Sequence, residues 1–275
     1  MYSDSHFHFE HTTVRDNKDF SVNGAEILTL MAKRNSFFGL DIGTEPDDLL
    51  KREACLDTAI ANMNDTFLAD KVRKFIYFSA GIWPSVEDIK NRFNSMKILK
   101  ETIAKTEENT EDDSLNRKII AIGECGLDHH WNPSGVDGRC EDDFNQEMYL
   151  AERELFELQL EYAKELNLPV IIHSRDAFAD TFDIIKATKG YENGGIIHCF
   201  SYGVECAREF LDMGFMLGIG GVLTFKNGKK LKEKSNVRDL QHPINGNKIR
   251  TVASARNKVA AASQMRGRTS PIIYY

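Results

Sequence analysis

Two apolar runs constrain this chain more than any other feature: Ile119-Ile120-Ala121-Ile122 and Pro169-Val170-Ile171-Ile172. A strand with one face in water alternates polar and apolar residues. These runs do not alternate, so they predict strands covered on both faces, as in a parallel sheet flanked by helices. Extended segments are predicted at Ser3–Phe7, Phe37–Ile42, Lys74–Ser79, Lys118–Gly123, Leu168–His173, Gly195–Cys199 and Phe215–Ile219. Amphipathic helical patterns lie between them, near 22–34, 46–69, 85–107, 142–166, 176–188 and 203–213. In the fourth of these, Phe156, Leu160, Ala163 and Leu166 recur at helical spacing. Strand–helix alternation of this kind leaves two α/β architectures, a doubly wound open sheet or a βα barrel. No GxGxxG or GxxxxGK[ST] follows the first strand, so no nucleotide cofactor is expected. Polar residues gather where strands end, which favours a (β/α)8 TIM barrel. The 275 residues suit one such barrel, predicted as a single domain over 1–275.

Charge is unevenly spread. The chain carries a net −7, yet residues 226–275 hold 12 of its 35 Lys and Arg and only two acids, Glu233 and Asp239. The body is therefore strongly acidic, which disfavours broad electrostatic binding of nucleic acid unless metal ions supply positive charge at the phosphate. The stretch 107–116 (EENTEDDSLN) reads as a solvated loop. The five cysteines, Cys55, Cys125, Cys140, Cys199 and Cys206, show no CxxC spacing, so they are expected to be reduced thiols. With no apolar leader and no membrane-length apolar run, a soluble cytoplasmic protein is expected.

The candidate chemistry lies in histidines and one glutamate. His6 and His8 are two apart on the first strand and so point to the same side. Glu124 follows four apolar residues and a glycine, where an unpaired charge would be costly. Its alternatives are a salt bridge to Lys or Arg, or a bound cation. His173 ends LPVIIH and His198 ends GGIIH. Either alone could be a satisfied core residue. Together, four histidines at or near the ends of three predicted strands, with a glutamate on a fourth, form a donor set suited to Zn2+, Mn2+ or Mg2+. One or two divalent ions are expected.

Five stretches carry a family resemblance: Asp4-Ser-His-Phe-His8, Ile122-Gly-Glu-Cys-Gly-Leu-Asp128, Leu168-Pro-Val-Ile-Ile-His-Ser-Arg-Asp-Ala177, His198-Cys-Phe-Ser201 and Gly220-Gly-Val-Leu-Thr-Phe-Lys-Asn227. In content and order they resemble the TatD-like deoxyribonucleases, amidohydrolase-type barrels, over residues 1 to about 230. The resemblance implies two-metal hydrolysis of DNA phosphodiesters. His6 and His8 would bind one metal, Glu124 would bridge, and His173 and His198 would bind the second, with Glu124 and His173 as catalytic groups. Arg175 would contact substrate phosphate or else pair with a neighbouring acid. Asp128 would order the loop or a ligand. His129 and His130 stand where relatives carry aromatic residues, and His129 would face substrate or else solvent.

The pattern breaks after Asn227. Relatives place a Thr-Asp-Ser/Ala-Pro-Tyr-like motif on the last strand, and its aspartate binds metal and acts on the attacking water. Here the only later aspartate is Asp239, in the unrelated setting VRDLQH. Ile249–Ala253 is the candidate eighth strand and offers no acid. The tail 231–275 is basic and poor in large apolar residues, as though the reading frame had changed near residue 234. An incomplete last strand and helix, and impaired activity, are the expected consequences. Two other functions fit the same ligands: hydrolysis of amides or esters of small molecules, and an inactive barrel with an altered C-terminus. The first usually has a lysine on the fourth strand, where this chain has Glu124.

Overall fold

The computed structural model describes residues 2–13, 20–108, 119–131, 133, 135 and 138–220, with short strands at 251–252, 254–255, 258–259 and 272–274. Strands and helices alternate along the chain: β1 (Tyr2–Phe7), α1 (Phe9–Thr13), α2 (Phe20–Lys33), β2 (Ser36–Asp41), α3 (Leu49–Ala61), α4 (Thr66–Phe75), β3 (Ile76–Ala80), α5 (Val86–Lys90), α6 (Arg92–Glu108), β4 (Ile119–Asp128), α7 (Gln146–Glu165), β5 (Val170–Arg175), α8 (Phe178–Thr188), β6 (Gly195–Ile197), α9 (Val204–Asp212) and β7 (Met216–Ile219). The seven strands pair in sequence order, all parallel, and curl into a nearly closed TIM barrel. The predicted segment 46–69 divides into α3 and α4. Asp65 causes the break, because its carboxylate accepts the Leu68 N–H and caps the second helix. Lys74 and Phe75, expected on the third strand, close α4 instead.

The eighth position differs from the expectation. The strand hydrogen-bonded to β7 is Ile272–Tyr274, with Ile272 level with Leu217 and Tyr274 with Ile219. Thr251–Val252, within the segment expected there, pairs on the far side of Ile272–Tyr274. The intervening tail 221–250 and residues 109–118, which cover most of the acidic loop, lie outside the described residues.

Two apolar clusters divide the faces of the sheet. Phe78, Ile122, Ile172, Ile197 and Leu217 join the large core beneath the helices. Leu40, Ile42, Ala121, Ile171 and Ile196 form a small separate cluster on the other face, inside the barrel. Side chains on a strand alternate, so His173 and His198, two residues beyond Ile171 and Ile196, continue the inner face. Phe7 packs against the outer core, which puts its neighbours His6 and His8 on the inner side.

β4 reaches the same result by an irregularity. It pairs with β5 as Ile122 to Val170 and then as Cys125 to Ile172, three steps against two. This bulge inserts one residue and reverses the alternation. Ile122, Cys125 and Leu127 all face the outer core, so Glu124 and Asp128 take the inner phase. Glu124 therefore lies within a ten-residue strand rather than at its end. Close backbone contact explains the glycines of the GECG motif. A Cβ on Gly126, at φ +146°, would lie 1.9 Å from the His173 carbonyl oxygen.

Candidate metal centre

Four imidazoles surround one carboxylate at the C-terminal mouth of the barrel. His6 Nε2 is 3.3 Å and His8 Nε2 3.9 Å from Glu124 Oε2. His173 Nδ1 is 2.8 Å and His198 Nε2 3.7 Å from Glu124 Oε1. The donors form two groups, His6–His8–Glu124 and Glu124–His173–His198, each with its ligand atoms within 4.8 Å of one another. Glu124 belongs to both, one oxygen turned to each. Its partners are histidines from β1, the residue after β1, β5 and the residue after β6, not the Lys or Arg that a structural salt bridge would have used.

The electrostatics follow from burial. Desolvation pushes the Glu124 carboxyl up, but the surrounding imidazoles, His198 foremost, together with hydrogen bonds from His173 and His6, outweigh it and hold the group well below the usual carboxylate range. Burial, reinforced by His6, lowers His8 to about 4 and holds His198 well below the ordinary imidazole range. His8 Nδ1 lies 3.2 Å from the Ile42 carbonyl. As a neutral ring donating there, His8 leaves Nε2 as the acceptor facing Glu124. His173 behaves differently. Burial opposes its charge, but hydrogen bonds to Asp128 and Glu124 raise it to about 9. Neutral imidazole at His8 and His198 and an ionised carboxylate at Glu124 are the protonation states that divalent cations require, and His173 gives up a proton to join them, so the donor set fits one or two such ions.

A second tier holds His173. Its Nε2 is 3.1 Å from Asp128 Oδ2, and the Trp83 ring meets it edge-on at 5.8 Å. Asp128 also accepts the His130 N–H and faces Arg175 Nη1 at 3.7 Å. Asp128 thus contacts both the loop at His130 and the ring of His173, and Arg175 faces this acid while about half exposed. His129 does not join the cluster. Its ring sits among α7 and α8 residues, 3.7 Å from Glu152, 3.8 Å from Asp180 and 5.5 Å from the Tyr149 ring. His130 is exposed beside Asp176.

A model of the TatD related DNase family matches residues 3–242. The chain belongs to this family. Two TatD-type relatives are informative. The uncharacterized metal-dependent hydrolase YabD of Bacillus subtilis is 40% identical over 159 residues, 58% of this chain and 52% of its own. The uncharacterized metal-dependent hydrolase YcfH of Escherichia coli K12 is 36% identical over 115 residues, 42% of this chain and 38% of its own. The matched region therefore spans about half, or less, of these relatives. Among solved structures, the TatD homologue YjjV of Escherichia coli K12 superposes with a TM-score of 0.56 at 22% identity, over 84% of this chain and 73% of its own. An amidohydrolase of Saccharomyces cerevisiae does so with 0.52 at 16%, over 99% and 88%. These likenesses establish the TatD barrel fold.

Sequence reasoning missed the groups that brace this TatD site: Trp83, Arg139, Glu152 and Gln159. One signal was available. Glu152 and Gln159 fall on the buried stripe of α7 with Met148, Leu155 and Phe156, and polar residues on such a stripe need partners. Gln159 finds its partners in the backbone of Ile82, accepting its N–H at 2.7 Å and donating to its carbonyl at 3.0 Å. Arg139, in the polar run after β4, gave no comparable signal.

Proposed function

We propose that the protein is a divalent-metal-dependent hydrolase that cleaves DNA phosphodiester bonds. One observation carries this reading: a single buried carboxylate, Glu124, shared by two overlapping groups of imidazoles. On this reading His6 and His8 would hold one ion and His173 and His198 another, with Glu124 shared between the two groups. Bound divalent cations, Mg2+, Mn2+ or Zn2+, would supply an activated water and neutralise charge on the phosphoryl oxygens. The chain's own residues do the rest. Glu124 and His173 hold protons and charge at the reacting centre. Arg175, half-exposed beside Asp128, offers a guanidinium fork to a substrate phosphate. Asp128 keeps His173 oriented. His129, packed between α7 and α8, supports the loop rather than the substrate. A last-strand aspartate is missing from the sequence, so turnover is slow. The cysteines are unpaired, which suits a reducing cytoplasmic setting. Among the described residues no helix is long and apolar enough to cross a membrane.

The test is hydrolysis of single-stranded DNA and of a generic phosphodiester by the purified chain with Mg2+, Mn2+ or Zn2+. His6→Ala with His173→Ala is expected to abolish cleavage. Activity untouched by that double substitution ends the metal-hydrolase reading. Turnover of small esters or amides without DNA cleavage moves the activity to the amidohydrolase alternative.

A further inference from the structure

Arg139 and Glu152 are both fully buried and lie 3.0 Å apart, guanidinium Nη2 to carboxylate Oε1. They meet around a single residue, Asp128. Glu152 Oε1 accepts the Asp128 N–H at 2.8 Å. Arg139 Nη2 donates to the Asp128 carbonyl oxygen. The main chain of Asp128 is therefore gripped on both sides by one ion pair. The same guanidinium donates through Nη1 to the carbonyl of Pro84, next to Trp83, and lies 4.1 Å above the Trp131 ring.

Such an arrangement is expensive as mere packing. A buried ion pair is often matched or bettered in stability by apolar residues of the same volume, so its stabilising value alone does not explain it. Its geometry does. The Asp128 carboxylate is aimed at His173 Nε2, 3.1 Å away, and His173 Nδ1 meets Glu124. Fixing the peptide groups on both sides of the Asp128 Cα fixes where that carboxylate points. Partners behind a metal-binding histidine set its tautomer and ring orientation.

We propose that Arg139 and Glu152 are positioning residues that clamp the Asp128 backbone and so orient His173 in the centre. The inference rests on the metal-hydrolase reading for its role in catalysis, but the clamp acts on His173 with or without metal. Glu152 Oε1 serves as acceptor whether or not the other oxygen carries a proton, so the clamp survives a change in the charge of Glu152.

The test uses the full chain and has two readouts. Arg139→Met with Glu152→Leu removes the pair without stranding one charge. In the metal-free 15N-labelled protein, the imidazole shifts of His173 report its tautomer and hydrogen bonding. The double variant is expected to shift them as Asp128→Asn does, and to add little when combined with Asp128→Asn. Zn2+ affinity by calorimetry is expected to fall about 10–100-fold while the thermal melt stays cooperative. A cooperatively folded double variant with wild-type His173 shifts and wild-type Zn2+ affinity overturns the proposal. If that variant does not fold, Arg139→Lys carries the same test: lysine keeps the charge opposite Glu152 but lacks the fork that spans the Pro84 and Asp128 carbonyls. The same change in His173 shifts is expected, and its absence overturns the clamp. A wild-type chain that binds no Zn2+ sinks the metal-hydrolase reading instead, and the His173 shifts alone then decide the clamp.

Discussion

The rings of His6 and His198 stack 3.5 Å apart and within 12° of parallel, although one belongs to the first strand and the other follows the sixth. Two imidazoles held face to face against a buried carboxylate form a preorganised donor pair: their separation is set by the barrel, not by the ligand. Stability should therefore be linked to metal. With free Zn2+ at about 100 times its dissociation constant, the folded state gains about 2.7 kcal/mol, which raises the melting temperature by roughly 5–10 °C for a chain of this size. Calorimetric melts with Zn2+ and with a chelator measure it. His6→Ala with His198→Ala is expected to remove the shift, and a double variant that keeps it contradicts the assignment of these ligands.

Gly126 is expected to tolerate no side chain. A methyl group there would meet the His173 carbonyl oxygen at 1.9 Å, in a backbone conformation with φ +146°. Relief requires β4 and β5 to part beside Glu124 and His173. Gly126→Ala should cost about 3 kcal/mol or more and lower metal affinity with it, measured by urea unfolding and Zn2+ titration. A variant within about 0.5 kcal/mol of wild type would mean that the two strands are less tightly apposed.

Asp41 gives a pH dependence of stability. It is buried at the end of β2, where it accepts the Phe9 N–H and faces Arg52 at 3.8 Å. Burial raises its pKa to about 6, and Arg52 only partly offsets this. The folded state thus holds the proton more tightly than the unfolded state, whose pKa is near 3.8. The resulting stabilisation is complete below about pH 4 and is lost as pH rises through 6, by about 3 kcal/mol in all. Asp41→Asn removes the titration. The difference in unfolding free energy, wild type minus variant, should fall between pH 4 and pH 7; a flat or rising difference contradicts the shift.

The last strand offers a gain-of-function test. Ile272–Tyr274 lies beside β7 and its sequence includes no acid. Ile273→Asp and Tyr274→Asp each introduce a carboxylate on that strand. One of the two is expected to raise kcat on a phosphodiester by at least about 10-fold, since a positioned general base is commonly worth about 10²–10⁴. Thr251→Asp, on the strand beyond, should give no gain. A gain found only with Thr251→Asp would make Thr251–Val252 the strand that completes the site.

The alternation of strands and helices was written locally. Ile119–Ile122 and Pro169–Ile172 lack polar alternation because both faces of their strands are covered, and that is a property of each segment by itself. The five central residues were legible for a related reason: a histidine or glutamate beside a buried run must find partners, and the run already tells where the strand lies. Tertiary structure decided everything that depends on register and on distant neighbours. Glu124 points inward only because one extra residue between Ile122 and Cys125 reverses the side-chain phase against β5. His129, whose position suggested substrate, is drawn instead between α7 and α8 by Glu152, Tyr149 and Asp180. Ile272–Tyr274 lies against β7, with Thr251–Val252 on its far side, and nothing in either short segment distinguishes them. Arg139 and Glu152 meet around the Asp128 peptide, a contact that no local pattern announces. Hydrophobic periodicity records which side of an element is buried, but the partner that buries it, and the register at which it does so, arise only when remote segments pack together.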